Sequence, residues 1–318
     1  MHLTPRLVGL LTLPPLLWAS NAVLGRMIVP MVPPLALNAL RWLGALLVLA
    51  VLGWRSVASP QARSDVWART PYLALLGLLG IGAYNALQYL ALLTSTPINV
   101  TLIAASMPVF MMLVGALLFG VWPVRQQLIG TLFSMCGVLM VLSRGAPAQL
   151  AQVHLVPGDV FMLAATFCWA CYSWLLVRPP RWAKQPVRAT VVDSQGRQRP
   201  WNWAEFLLVQ LLFGLVWASG AAGGEHLVAP RPIQWQPTVL AALVFIAIGP
   251  SVVAYWFWGE GVALGGPALA AIFSNLTPLF AALLSALILG ELPHWYHGVA
   301  FALIVAGIVV SSWRRPTS

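Results

Sequence analysis

The segment NLTPLFAALLSALILGELP, residues 275–293, decides the fold, because the chain has already written it once. ASMPVFMMLVGALLFGVWP, residues 105–123, matches it at seven of nineteen positions, without a gap and 170 residues upstream. Each copy is an apolar run with a proline near its start and a glycine near its end. Each is long enough to cross about 30 Å of hydrocarbon, which takes roughly 20 helical residues.

The rest of the chain is of the same kind. Of its 318 residues, 60% are hydrophobic and 8% charged, against about 25% charged in soluble domains. No water-soluble core absorbs that much apolar surface, so lipid has to solvate it. Ten spans follow at 7–29, 35–53, 71–93, 98–120, 125–143, 158–177, 204–221, 237–259, 267–289 and 295–313. Inside a bilayer every backbone group must be bonded internally, and these runs are too long and too uniformly apolar for barrel strands. The expected fold is all-α, a polytopic bundle of ten transmembrane helices. Arg6 and the small residues of Ala19–Ala22 imitate a signal peptide, but the run continues through Ile28 and further spans follow, so it is read as the first span.

Sorted by side, the basic residues orient the bundle. With the N-terminus inside, thirteen fall on the inner side: Arg6, Arg55, Arg63, Arg69, Arg125, Arg178, Arg181, Lys184, Arg188, Arg197, Arg199, Arg314 and Arg315. Three fall outside, Arg26, Arg144 and Arg231, and Arg41 lies within a span. Both termini are therefore expected in the cytoplasm, with the bundle in a bacterial inner membrane. Of the basic residues behind the net charge of +10, six stand in the loop 178–203, read as a topology determinant that also meets anionic lipid headgroups, not as a nucleic-acid site.

The copies lie five crossings apart. Five is odd, so the second unit starts on the opposite face, and residues 1–146 and 147–318 form two repeats of inverted topology. Pro97 aligns with Pro267, Pro108 with Pro278, Phe110 with Phe280, Gly120 with Gly290, Pro123 with Pro293 and Gly137 with Gly307. At another offset, Trp18-Ala19 falls against Trp169-Ala170, as unequal loop lengths require. Pro108 and Pro278 interrupt matched helices, because proline lacks the N–H and clashes with the preceding turn. They are the expected hinges of an alternating-access carrier.

Gly158-Asp159 followed by Trp169-Ala170 resembles the opening of the second repeat in EamA-type members of the drug/metabolite transporter superfamily. Asn38-Ala-Leu-Arg41-Trp42 at the second span, the proline-containing fourth and ninth spans, and Gly290-Glu291-Leu292 before the tenth fit the same pattern. The first repeat departs from it, with Val121 where the family commonly has glutamate. The resemblance implies a central cavity formed by the first, third, fourth, sixth, eighth and ninth helices. It also implies export of amino acids or related metabolites, with aromatic solutes favoured in the YddG-like branch.

Residues that can meet a solute are few. The acids Asp65, Asp159, Asp193, Glu205, Glu225, Glu260 and Glu291 all lie in loops or near span ends, so no mid-membrane carboxylate exchanges a proton for a cation. Glu260 is the nearest candidate for such coupling, and Arg41 reads as a structural anchor. Neutral hydrogen-bonding and aromatic groups stand in the spans instead: Trp18 and Asn21; Tyr84, Asn85 and Gln88, with Tyr89; Ser106; Trp169 and Tyr172, with Ser173; Tyr255 and Trp258; and Asn275. Serine in a span usually bonds to its own helix, whereas asparagine and glutamine lose more without a partner. Trp54, Trp122, Trp201, Trp203, Trp295 and Trp313 read as interfacial anchors.

Uncharged donors and acceptors among aromatic faces suit a small amphipathic solute such as an amino acid or aromatic metabolite. The same faces attract an organic cation. A flippase for lipid or lipid-linked substrates stays open as the alternative, although its phosphate would meet only Arg41 within the spans. No catalytic cluster is present, so an enzyme is not expected. Cys136, Cys168 and Cys171 all fall in spans and read as packing residues, and the histidines fall at span ends or in loops. No metal or cofactor is expected, the partners being a small-molecule substrate and membrane lipid. Whether the unit is a monomer or dimer is not written in the sequence.

Overall fold

The computed structural model describes residues 3–28, 30–95, 100, 103–146, 148, 150, 156–192, 196–289 and 294–312. Pro97 and Gly290-Glu291-Leu292-Pro293 lie outside the described residues. Among those described, nine helices are long and apolar enough to cross a membrane, and Met107–Phe119 is a shorter apolar one. Leu47, Val51, Leu117, Leu132, Val216 and Leu287 stand exposed on their outer faces, as side chains solvated by lipid tails would.

Proline places many of the helix starts. It sits at the first or second position of Pro34–Gly53, Thr70–Gly77, Met107–Phe119, Pro157–Val177, Pro237–Ile246 and Pro267–Ser274. Its fixed φ is helical, and the N–H it lacks would have no partner there. Side chains satisfy the neighbouring donors. At the seventh span, Trp203–Val228, the Asn202 Oδ1 accepts from Glu205 N at 2.9 Å and Glu205 Oε2 accepts from Asn202 N at 2.8 Å. At the sixth, Asp159 Oδ2 accepts from Val156 N at 2.9 Å, and its other oxygen accepts from the Ser95 hydroxyl at the end of the third span. A Cβ at Gly158 would lie 2.5 Å from Ala91 O, so glycine is what lets these two helix ends meet.

Two helices run beyond the sequence boundaries. The seventh continues through Gly220, Gly223 and Gly224 to Val228, because Glu225 Oε2 there accepts from Leu35 N and Ala36 N, both at 3.0 Å. A carboxylate from one helix thus caps the N-terminus of another, where the macrodipole favours negative charge. The eighth continues to Gly265, carrying Glu260 inside its last turns.

Helix packing repeats when each helix is exchanged for its counterpart in the other half. The second span packs on the seventh, the fourth on the ninth and the fifth, Arg125–Leu142, on the tenth, Trp295–Ser312. The third packs on the sixth as the eighth packs on the first, Pro5–Ile28. Glycines mark the crossings. A Cβ at Gly130 would lie 2.5 Å from Gly307 O, and one at Gly137 would lie 2.8 Å from Ala300 O, the same pair of contacts reversed by the 170-residue offset. Gly44 against Ala247 and Gly214 against Gly77 repeat the relation for the second and seventh spans. Small residues let backbones approach where lipid supplies no hydrophobic drive.

Matched spans are irregular at matched places. The third span changes to π-helix at Leu78–Ala83 before resuming as Tyr84–Thr94, and the eighth does so at Ala247–Val253 before Ala254–Gly265. The ninth breaks at Asn275, between Pro267–Ser274 and Leu276–Leu289, and the fourth has a turn at Ser106 ahead of Met107–Phe119. Both breaks carry a tight backbone bond: Ser106 N donates to Ile103 O at 3.0 Å, and Asn275 N to Ile272 O at 3.2 Å. Pro108 and Pro278 each stand in the first turn of the helix that restarts.

Two elements at the basic end were not legible as such: a short helix, Pro60–Trp67, and a two-stranded hairpin, Thr190–Val192 with Gln198–Pro200. Arg69 joins them, pairing with Asp65 at 3.0 Å, donating to Pro186 O at 3.1 Å and lying over the Trp201 ring. Trp201 is therefore buried under the loop and is not an interfacial anchor.

Candidate functional site

Trp169 of the sixth span is the hub of a ring cluster drawn from four spans. Its ring centroid lies 4.8 Å from Tyr84, 5.2 Å from both Tyr172 and Tyr255, 5.3 Å from Trp18 and 5.6 Å from Trp258. Trp18 and Tyr255 meet it edge-on, the arrangement the ring quadrupoles prefer. In this conformation the rings close on one another and Trp169 is 2% exposed.

The π segments supply the polar side of the cluster. Trp18 Nε1 donates to Pro250 O at 3.3 Å, and the Tyr255 hydroxyl donates to Gly80 O. Gly80 and Pro250 stand 170 residues apart, so the two halves present equivalent carbonyls to aromatic donors. Gly80 must be glycine here, since a Cβ would lie 2.7 Å from the Tyr172 ring. Trp258 Nε1 donates to Ser173 Oγ at 3.1 Å, which fixes the last indole.

Pro250 also organises a buried cation, Arg41. Lacking an N–H, it cannot make the α-helical bond to Ile246 O; the Ser251 hydroxyl donates to that carbonyl at 2.8 Å and accepts from Arg41 Nε at 2.9 Å. Arg41 Nη1 donates to Asn85 Oδ1 at 3.1 Å and to Tyr89 OH at 3.3 Å. Asn85 Nδ2 in turn donates to Tyr255 OH at 3.4 Å, so a single chain of bonds runs from the guanidinium to the rings.

Seven of the residues singled out in the sequence meet here: Trp18, Tyr84, Asn85, Trp169, Tyr172, Tyr255 and Trp258. Asn21 is buried one turn from Trp18, with no partner for its Oδ1 among the described residues. Gln88 is half-buried one turn beyond Tyr84. Two lie elsewhere. Ser106 Oγ donates to Ile103 O at 2.5 Å, within its own helix, and Asn275 Nδ2 donates to Ser134 Oγ of the fifth span at 2.9 Å, at the rear of the bundle. Neither Ser106 nor Asn275 spends its polar group on the ring cluster. Trp42, whose ring meets Tyr255 edge-on at 4.9 Å, and Ser251 belong to the site and were missed. A mid-span Pro-Ser pair was the available signal for the latter.

About one helical turn further towards the basic end lies a cavity of about 290 Å³, lined by Met112, Trp122, Trp174, Arg178, Val262 and Pro267 among others. Trp174 and Val262 lie on the same helices as Trp169 and Trp258, some 6–8 Å on. The cavity and the ring cluster are thus stacked along the bundle axis. Among the described residues no group of His, Cys, Asp or Glu gathers where a metal would bind.

Helices that pair across the two halves, break at equivalent points and converge on an aromatic site near mid-span are the architecture of a membrane transporter. The EamA-like transporter family matches residues 7–143 and 189–313, and the chain belongs to it. It is 26% identical to an uncharacterized transporter of Archaeoglobus fulgidus over 96% of this chain and 97% of that one. It is 25% identical to the aromatic amino acid exporter YddG of Ancylobacter novellus, over 93% of each chain. A "Probable amino-acid metabolite efflux pump" of Salmonella typhimurium is 25% identical over 92% of this chain and 90% of that one. A solved crystal structure superposes with a TM-score of 0.73 at 23% identity, covering 96% of each chain, which establishes the fold. The chain is a multi-pass membrane transporter, not an enzyme.

Proposed function

We propose that the chain exports small amphipathic metabolites, aromatic amino acids foremost, from the cytoplasm across a bacterial inner membrane by alternating access. The observation that carries this reading is the ring cluster around Trp169, which joins the first, third, sixth and eighth spans with indole and phenol donors bound to backbone carbonyls. A planar solute entering there replaces ring–ring contacts with ring–solute contacts of the same kind. The names of the relatives from Ancylobacter and Salmonella support the same class of solute. The cavity beside Arg178 is the entry in this account, and the excess of basic residues at that end supports a cytoplasmic side shared with both termini. Substrate passes the rings when the third and fourth spans shift against the eighth and ninth.

Thermal stabilisation of the purified protein tests this reading. Aromatic amino acids should raise the melting temperature in a saturable manner, as any ligand of the folded state does. Stabilisation by phospholipid headgroup analogues, with none by amphipathic solutes, would overturn it in favour of a flippase.

A further inference from the structure

Arg41 is 1% exposed, yet among the described residues no carboxylate pairs with it. Its bonds go from Nε and Nη1 to Ser251, Asn85 and Tyr89, all neutral acceptors, although a guanidinium carries five N–H donors. The guanidinium lies 5.4 Å from the ring centroid of its own neighbour, Trp42. The acids whose bonds are described are committed elsewhere. Asp65 pairs with Arg69 and Lys184, Glu205 with Arg199, Glu225 caps the second span, and Asp159 serves the sixth. Neutral acceptors position the guanidinium but leave its charge standing in a region of low dielectric, where an unneutralised ion is costly.

A structural anchor for three helices would need no charge: a neutral amide can bond to serine, asparagine and tyrosine. What the charge adds is recognition of an anion. Arg41 adjoins the ring cluster, since Trp42 touches Tyr255 and Asn85 links the guanidinium to the same hydroxyl. We infer that Arg41 is the anion-recognition group of the site. It receives the carboxylate of a solute whose ring lies among Trp18, Tyr84, Trp169 and Trp258. The inference rests on the export reading above and deepens it: the carrier selects carboxylate-bearing amphiphiles and rejects organic cations of the same shape. An ammonium group without a carboxylate meets aromatic faces that attract it but also a guanidinium that repels it. A zwitterion satisfies both.

The test compares phenylalanine with phenethylamine, which differ only by the carboxylate, as ligands of the purified full chain measured by calorimetry. Wild type should bind phenylalanine on the order of ten- to a hundredfold more tightly, the worth of a charge-assisted bond to a buried group. Arg41→Gln should bring that ratio towards one, and Arg41→Lys should retain part of it. A loss of positioning alone would weaken both ligands together and leave the ratio unchanged, and that result would overturn the proposal. Should Arg41→Gln fail to fold, the wild-type ratio and Arg41→Lys still decide, because a wild type that prefers the amine, or binds both equally, contradicts it. Binding of neither ligand to wild type defeats the export reading itself, and this assignment with it.

Discussion

Hydrogen-bond donors buried in lipid have nowhere to turn but to protein, and single side chains carry much of this structure as a result. The Tyr255 hydroxyl donates to Gly80 O and accepts from Asn85, so Tyr255→Phe keeps the ring and removes the link between the eighth span and the π segment of the third. The loss of a buried partner costs about 1–3 kcal/mol. A lower melting temperature in detergent is expected, and an unchanged one would count against the assigned bond. Most of the cluster was legible, because Trp, Tyr and Asn stand out against an apolar background. Where each points was not. In a soluble helix the polar face marks the outside, but in a bilayer the outer face is as apolar as the inner, so periodicity does not say which way Asn275 or Ser106 turns. Asn275 turns to Ser134, and no feature of its own segment announces a serine 141 residues away.

At the scale of elements, the informative irregularities come in pairs. Breaks at Ser106 and Asn275 precede Pro108 and Pro278, and the π segments at 78–83 and 247–253 occupy equivalent places in the third and eighth spans. The prolines were visible in the sequence, as was the repeat that paired them. The π segments were not, since glycines and small apolar residues do not distinguish one turn geometry from another. Pro108→Ala or Pro278→Ala removes the ring that keeps the preceding turn apart and allows an N–H to bond back across the break, which stiffens a span that has to bend. Either variant should slow transport several-fold in reconstituted vesicles while leaving the substrate Kd within a factor of about two, since neither proline touches the ring cluster and factors of that size lie below 0.5 kcal/mol. Equal losses in rate and affinity would show that the breaks shape the site and do not move it.

For the whole molecule, the long apolar runs were enough to read an all-helical, multi-pass membrane fold. The seventh and eighth helices ran past their expected ends because tertiary contacts, above all Glu225 on the second span, override local glycine. The hairpin and short helix at the basic end escaped notice because polar loop sequence carries little periodic signal. The assembled picture is a closed aromatic site among helices of both halves of the chain, with a cavity on one side, and the central claim proposed for it is that this chain is a carrier. Counterflow in proteoliposomes tests that claim most directly. With excess unlabelled phenylalanine inside, labelled phenylalanine outside should enter with saturable kinetics and a transient overshoot, and Trp169→Ala should abolish the overshoot. Entry that rises linearly with concentration and never overshoots would mean a continuous pore, and would contradict the account.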